Sequence, residues 1–255
     1  MIAKHGFDEV IAEALEVLKR GGLILYPTDT VWGIGCDATN EAAVQRVFAL
    51  KRRAEAKSLV LLACDLDMVA RYIRKIPSIA VDLVSVNDAP MTIVYPGATG
   101  LAPSVVAADG SVGIRIPRAG ATGVDSKGDD WDERPVSAGA VFCNRLIYRL
   151  RRPLVSTSAN ISGEPAPASF PEISPEIRAG VDYIVPASVS GLALPGLSRS
   201  GSPSPASRSG SGQAPSAAPA RATSPATVRF DDSASGRPSQ ILKLGLDGEV
   251  EIIRQ

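Results

Sequence analysis

The chain has 255 residues, 45% of them hydrophobic, and its 27 Lys and Arg balance 27 Asp and Glu to a formal net charge of zero. There is enough apolar material for a substantial core, while a neutral whole gives no support for tight nonspecific binding to nucleic acid. Cys36, Cys64 and Cys143 form no Cys-x-x-Cys pair, which argues against a disulfide framework and a zinc site and suits a reducing cytosol.

The first residues, Met1 to Gly6, lack the apolar run of a signal peptide, and stretches such as Leu59 to Cys64 are too short to cross a bilayer. A cytoplasmic protein without membrane contact is expected. Val10, Ile11, Ala14, Leu15 and Leu18 recur at helical spacing, Gly21-Gly22 stops that helix, and Leu23 to Tyr26 reads as a strand. That strand empties into Pro27-Thr28-Asp29-Thr30-Val31-Trp32-Gly33-Ile34-Gly35. Pro27 frees the backbone from a sheet ladder, Thr28 and Thr30 supply hydroxyls, and Gly33 and Gly35 are expected to allow positive φ or the close approach of a ligand.

Asn40 is a plausible N-cap for a second helix, which carries Ala43, Val44, Val47 and Phe48 on one face and delivers Lys51, Arg52 and Arg53 at its end. Leu59 to Ala63 is a strand, Asp65 caps a helix through Ile73, and Ser78 caps another through Val86. Met91 to Tyr95 and Val112 to Ile116 are strands, Val141 to Arg151 a helix, and Leu154 to Ser158 and Tyr183 to Val185 strands again. This alternation predicts a single α/β domain, a sheet covered by helices.

Two stretches break the pattern. Ala119 to Pro135 is rich in Gly and Asp. Ser198 to Ala226 is built from Ser, Pro, Ala, Gly and Arg, and its composition predicts a disordered segment. Because Thr227 to Phe230, Ile241 to Leu244 and Val250 to Ile253 again look like strands, the organisation is read as a main part over 1–195, an insertion over 196–226, and strands over 227–255 that complete the same domain. Closing roughly 30 flexible residues costs only about 3 kcal/mol of loop entropy.

No phosphate-binding Gly-x-x-x-x-Gly-Lys-Ser/Thr, dinucleotide Gly-x-Gly-x-x-Gly, His-Glu-x-x-His or Gly-x-Ser-x-Gly signature occurs, and the sole histidine is His5. Any chemistry has to use cations, hydroxyls and amides, which suits polarising phosphates. Three clusters supply those groups: Lys51-Arg52-Arg53-Ala54-Glu55-Ala56-Lys57-Ser58, Ser111-Val112-Gly113-Ile114-Arg115-Ile116-Pro117, and Ser156-Thr157-Ser158-Ala159-Asn160-Ile161-Ser162-Gly163. Each also has a bland reading: a solvated basic helix end, an arginine at a strand end, a capped turn.

Together with the Pro-Thr-Asp-Thr segment, these clusters resemble the YrdC/Sua5 family of threonylcarbamoyl-AMP synthases, whose motifs occur here in the same order. The resemblance implies a YrdC-like twisted α/β sheet, flanked by helices, with a concave basic cleft. It implies a nucleotidyltransferase that joins L-threonine, bicarbonate and MgATP into L-threonylcarbamoyladenylate and pyrophosphate for t6A modification at tRNA position 37. Carried onto this sequence, Lys51 and Arg53 would be catalytic. Lys51, Arg53, Lys57, Ser111, Ser158, Asn160 and Lys243 would bind ATP, and Thr28, Thr30, Arg115 and Ser156 would bind L-threonine.

Mg²⁺ would ride on the phosphates, with no protein metal site, and downstream proteins of the TsaD/TsaB/TsaE type would be partners, with tRNA a further contact. Departures from the family pattern are Trp32 in place of Tyr, Ala54 and Ser58 in place of prolines, Pro117-Arg118-Ala119-Gly120 in place of Pro-x-His-Pro, and Lys243 where many members carry arginine. The alternative from another class is a non-catalytic RNA-binding or ribosome-assembly protein of the same fold, served by the cations from Arg145 to Arg152. A carbamoyl-adenylate step in hydrogenase maturation belongs to much longer multidomain chains.

Overall fold

The computed structural model describes residues 5–53, 59–87, 89–118, 137–192, 227–236 and 238–254. Helix α1 (Phe7–Lys19) buries Phe7, Val10, Ile11, Ala14 and Leu18 along one stripe. It ends where the amides of Gly21 and Gly22 turn back onto the carbonyls of Leu18 and Val17, each at 2.9 Å. Gly21 takes the left-handed conformation that this end requires, with φ +80°. Helix α2 (Glu41–Leu50) is capped by the Asn40 side chain, which accepts from the Ala43 amide.

A mixed sheet of nine strands follows the order β11-β10-β4-β5-β3-β6-β2-β1-β7. Its centre is made of β3 (Val60–Leu62), β5 (Val112–Arg115) and β6 (Leu154–Ser158). One flank holds β1 (Ile24–Tyr26), β2 (Gly33–Gly35) and β7 (Tyr183–Ile184), the other β4 (Met91–Tyr95), β10 (Gln240–Leu244) and β11 (Val250–Arg254). A separate two-stranded ribbon pairs β8 (Ser188–Ser190) with β9 (Thr227–Arg229). The other α-helices among the described residues are α3 (Leu66–Tyr72), α4 (Ser78–Val86), α5 (Ala138–Leu150) and α6 (Pro175–Ala179). Among the described residues, no helix is long and apolar enough to cross a membrane.

Three local readings need correction. Gly33 and Gly35 form a strand, and neither is among the glycines at positive φ. A Cβ on Gly35 would lie 2.6 Å from the Val155 carbonyl and 2.7 Å from the Tyr26 ring, so the close approach is by the protein itself. Ser78 is the first residue of its helix, with Pro77 at the cap. Helix α5 starts earlier than its periodicity suggests, because the Ser137 hydroxyl accepts from the Ala140 amide.

The early turn of α5 lies directly against the loop that follows β1. A Cβ added to Gly139 would sit 2.1 Å from the Thr28 carbonyl oxygen, a separation no repacking of side chains relieves because the neighbour is backbone. Gly139→Ala is therefore expected to lower the unfolding free energy by about 2–3 kcal/mol, measured by urea titration. A stability unchanged from the parent would show that the helix does not press on this loop.

Candidate functional site

The loop after β1 is held by its own hydroxyls. Thr28 Oγ1 accepts from the amides of Thr30 (3.0 Å) and Val31 (3.2 Å) and donates to the Val31 carbonyl at 2.7 Å. The two hydroxyls lie 2.9 Å apart, either able to donate to the other, and the Thr30 oxygen has acceptor capacity for a ligand's donor group. Residues after the ribbon strap the same loop: the Ser235 amide donates to the Asp29 carbonyl and the Gly236 amide to the Thr30 carbonyl, both at 2.9 Å. Trp32 packs beneath, its ring 4.9 Å from that of Phe170 and its Nε1 donating to Asp231 at 2.6 Å.

Beside this loop lies a cavity of about 250 Å³, lined by Thr28, Thr30, Val31 and Gly33 on one wall and by Ser156, Thr157 and Ser158 from β6 on another. Arginines enter it from three directions, Arg53 after α2, Arg115 at the end of β5 and Arg254 from β11. Each is placed by a local device. The end of α2 repeats that of α1, with the Arg52 amide on the Ala49 carbonyl and the Arg53 amide on the Phe48 carbonyl, but Arg52 rather than glycine takes the left-handed position at φ +49°. That turn directs Arg53 towards the cavity, where partial burial lowers its pKa. Arg115 is the last residue of its strand, only 5% exposed, and its guanidinium donates to the Asp29 carboxylate, itself 11% exposed.

Arg254 is the residue that reading the sequence missed. In β10 and β11, Leu244 pairs with Val250, Lys243 with Glu251 and Leu242 with Ile252, and then the register slips so that Ile241 faces Arg254. Without this bulge Ile253 would stand opposite Ile241 and Arg254 would project to the other face of the sheet. The guanidinium donates to the Ser239 carbonyl through Nε at 3.0 Å and Nη2 at 2.6 Å. Ser239 and Pro238 line the cavity as well, and the Ser239 hydroxyl lies 2.7 Å from that of Thr92. No periodicity signals a one-residue slip in a short edge strand.

Thr28, Thr30, Arg53, Arg115, Ser156 and Ser158 thus meet around one cavity. Lys51 does not line it. Its side chain is 1% exposed, and its ammonium donates to the carbonyl of Ser158 and, at 2.6 Å, to that of Asn160. The Lys51 carbonyl in turn accepts from the Ser162 amide at 2.9 Å, so this residue clamps the turn after β6 from both sides. Burial, with the Arg53 charge adding, pulls the Lys51 pKa down to about 8.

Asn160 borders an adjoining depression with Glu164 and Glu172. Its Nδ2 donates to the carbonyls of Ile161 and Glu164, and its Oδ1 is buried without a partner. Ser111 and Lys243 are brought together elsewhere, on Asp109. Lys57, Ala54 and Ser58 lie outside the described residues. Among the described residues, no group of three or more His, Cys, Asp or Glu is placed to hold a metal ion.

The profile of the Sua5/YciO/YrdC family, described as "Telomere recombination", matches residues 16–122 and 139–195. The chain belongs to this family. It is 32% identical over 192 residues to the threonylcarbamoyl-AMP synthase of Halorhodospira halophila, covering 75% of this chain and 90% of that protein. Its identity to the enzyme of the same name from Stenotrophomonas maltophilia is 34% over 192 residues, covering 71% and 88%. The fold is that of E. coli YciO, with a TM-score of 0.62 at 17% identity over 96% of this chain and 88% of that one. P. abyssi Sua5 complexed with L-threonine aligns with a TM-score of 0.58 at 24% identity over 70% of this chain. This family member spans about half the length of that Sua5, 46% of which is covered.

Proposed function

We propose that this chain is a threonylcarbamoyl-AMP synthase, which converts L-threonine, bicarbonate and MgATP into L-threonylcarbamoyladenylate and pyrophosphate for t6A modification of tRNA. The observation that carries this reading is one cavity in which three arginines from separate elements face a wall of hydroxyls. The names of the relatives, each covered over most of its length, point the same way. A cytoplasmic location and hand-over to TsaD/TsaB/TsaE-type proteins and tRNA go with this function.

The chemistry needs little proton transfer. Threonine's amine and CO₂ from bicarbonate give an N-carboxylate and a proton. A carbamate oxygen then attacks the α-phosphorus, the bond from that phosphorus to the bridging oxygen breaks, and pyrophosphate leaves with the electron pair. The protein's work is alignment and charge neutralisation. Arg53 and Arg254 take the phosphates. Arg115, held by Asp29, receives the amino-acid carboxylate on its remaining N–H groups, and the Thr30 lone pairs take threonine's nitrogen. Thr28 and Ser156 fix that wall, Ser158 and the unpartnered Oδ1 of Asn160 reach the nucleotide, and Lys51 positions their turn. Mg²⁺ arrives with ATP, since phosphates supply the oxygen ligands it prefers.

The test incubates the protein with ATP, radiolabelled bicarbonate and L-threonine and looks for a labelled adenylate with threonine-dependent pyrophosphate. A folded protein that makes neither would leave a non-catalytic RNA-binding or ribosome-assembly role for the same fold. We further read 196–226 as an insertion dispensable for the reaction. Ser190 and Thr227 stand directly opposite each other in the β8-β9 ribbon, so a short turn can join the strands. Deleting residues 196–226, so that residues 191–195 connect Ser190 to Thr227, is expected to keep turnover within about twofold. Loss of activity from the folded deletion variant would make the segment functional.

A further inference from the structure

The face of the sheet that floors the cavity does not stop at Arg115 and Ile241. Alternate residues share a face, so the same surface continues along β5 to Gly113 and along β10 to Lys243, which lie in line across Val94 of β4. Lys243 is two residues beyond Ile241, a step of about 6.6 Å. Gly113, on the far side of Val94 from Lys243, adds no side chain to this floor. A side chain there would press on the Thr92 methyl at 3.3 Å.

At the far end of this strip stands Asp109. Its Oδ1 accepts from the Ser111 amide (3.0 Å) and hydroxyl (2.5 Å), and its Oδ2 accepts from the Lys243 ammonium at 2.8 Å. The Ser111 proton is therefore spent on Asp109, and Ser111 acts as a brace for the carboxylate, leaving it no proton for a phosphate. Lys243 and the Ser111 donors hold the Asp109 carboxyl well below the usual range, so it is ionised, and Asp109 in turn raises the Lys243 pKa. The pair remains open to a ligand, with side-chain exposures of 42% for Lys243 and 50% for Asp109.

An acceptor-only carboxylate beside a donor-only ammonium complements a vicinal diol, in which each hydroxyl both donates and accepts. Arg53, Arg115 and Arg254 mark the anionic end of the cleft, and the ribose is the next group along a nucleotide from its α-phosphate. Resting on the synthase reading above, we propose that Asp109, with Lys243, receives the ribose hydroxyls and is the residue that distinguishes ribonucleotides from 2′-deoxyribonucleotides. Carboxylates serve the ribose 2′-hydroxyl in the same way in dinucleotide-binding folds.

The experiment compares ATP with 2′-deoxy-ATP in threonine-dependent pyrophosphate release, and binding of both nucleotides by calorimetry. The parent protein is expected to show a KM and a dissociation constant about tenfold higher for 2′-deoxy-ATP, with kcat little changed, as for the loss of one hydrogen bond to a half-exposed charged group. In Asp109→Asn and Asp109→Ala the ratio between the two nucleotides should fall towards one, a change that a general loosening of the fold would not produce. Equal handling of both nucleotides by the parent, or discrimination that survives both substitutions, overturns the assignment. A parent that binds ATP in preference to 2′-deoxy-ATP but releases no pyrophosphate would overturn the synthase reading and leave the ribose assignment standing.

Discussion

Asp29→Ala is expected to cost about 3–5 kcal/mol of stability, because it strands the Arg115 guanidinium in a place that is almost dry. The two side chains are 5% and 11% exposed, so a charge left alone by its partner's removal regains little water. Against a typical total of about 5–15 kcal/mol, a loss of that size lowers the melting temperature by many degrees. Arg115→Met alone should be comparably damaging through the unpaired carboxylate. The double variant Asp29→Ala/Arg115→Met removes both charges and should recover most of the lost stability. Turnover, by contrast, should not return in the double variant, since the group assigned to the amino-acid carboxylate is absent. Urea unfolding and threonine-dependent pyrophosphate release on the three variants separate the two effects. A single-variant cost below about 1 kcal/mol would mean that the pair is far better solvated than its exposure indicates.

That pair also shows where reading the sequence reaches its limit. Asp29 and Arg115 were each legible as unusual, one in a polar strand end and the other among Val112, Ile114 and Ile116, but nothing in the chain says that residues 86 apart meet. The helices and central strands were legible because they depend on periodicity and nearby caps: Asn40 accepts from Ala43, and Asp65 from Met68 at 2.6 Å. Long-range packing decided the rest. Gly33 and Gly35 carry the sequence signature of a binding loop; Gly33 does line the cavity, but the Tyr26 ring and Val155 carbonyl claim the space beside Gly35. Lys243 enters the sequence reading through the family motif alone, whereas a regular β11 would turn Arg254 away, and only the slipped register brings Arg254 in. The wall of the cleft contributed by Pro238, Ser239 and Arg254 lies on the other side of residues 193–226 from Thr28, so composition alone divides what the sheet reunites.

Lys51 is the second place where a substitution should be severe, and there the cause is support of the site from beneath. Lys51→Met keeps the apolar stem but leaves the carbonyls of Ser158 and Asn160 without their donor, so about 2–4 kcal/mol of stability should be lost and turnover should collapse with the displaced turn. The pH dependence isolates the ammonium. Burial lowers the folded pKa to about 8 from the ordinary 10.5, so between those values the unfolded chain holds more protons at this group than the folded one. Its contribution to stability is therefore fully present above about pH 10.5, and it is lost as pH falls through about 8. Unfolding free energies measured from pH 7 to 10.5 should rise more steeply in the parent than in Lys51→Met, by at most about 1.4 kcal/mol per pH unit. Parallel curves for the two proteins would mean that Lys51 titrates as an ordinary lysine and that its ammonium is not sealed beneath the turn.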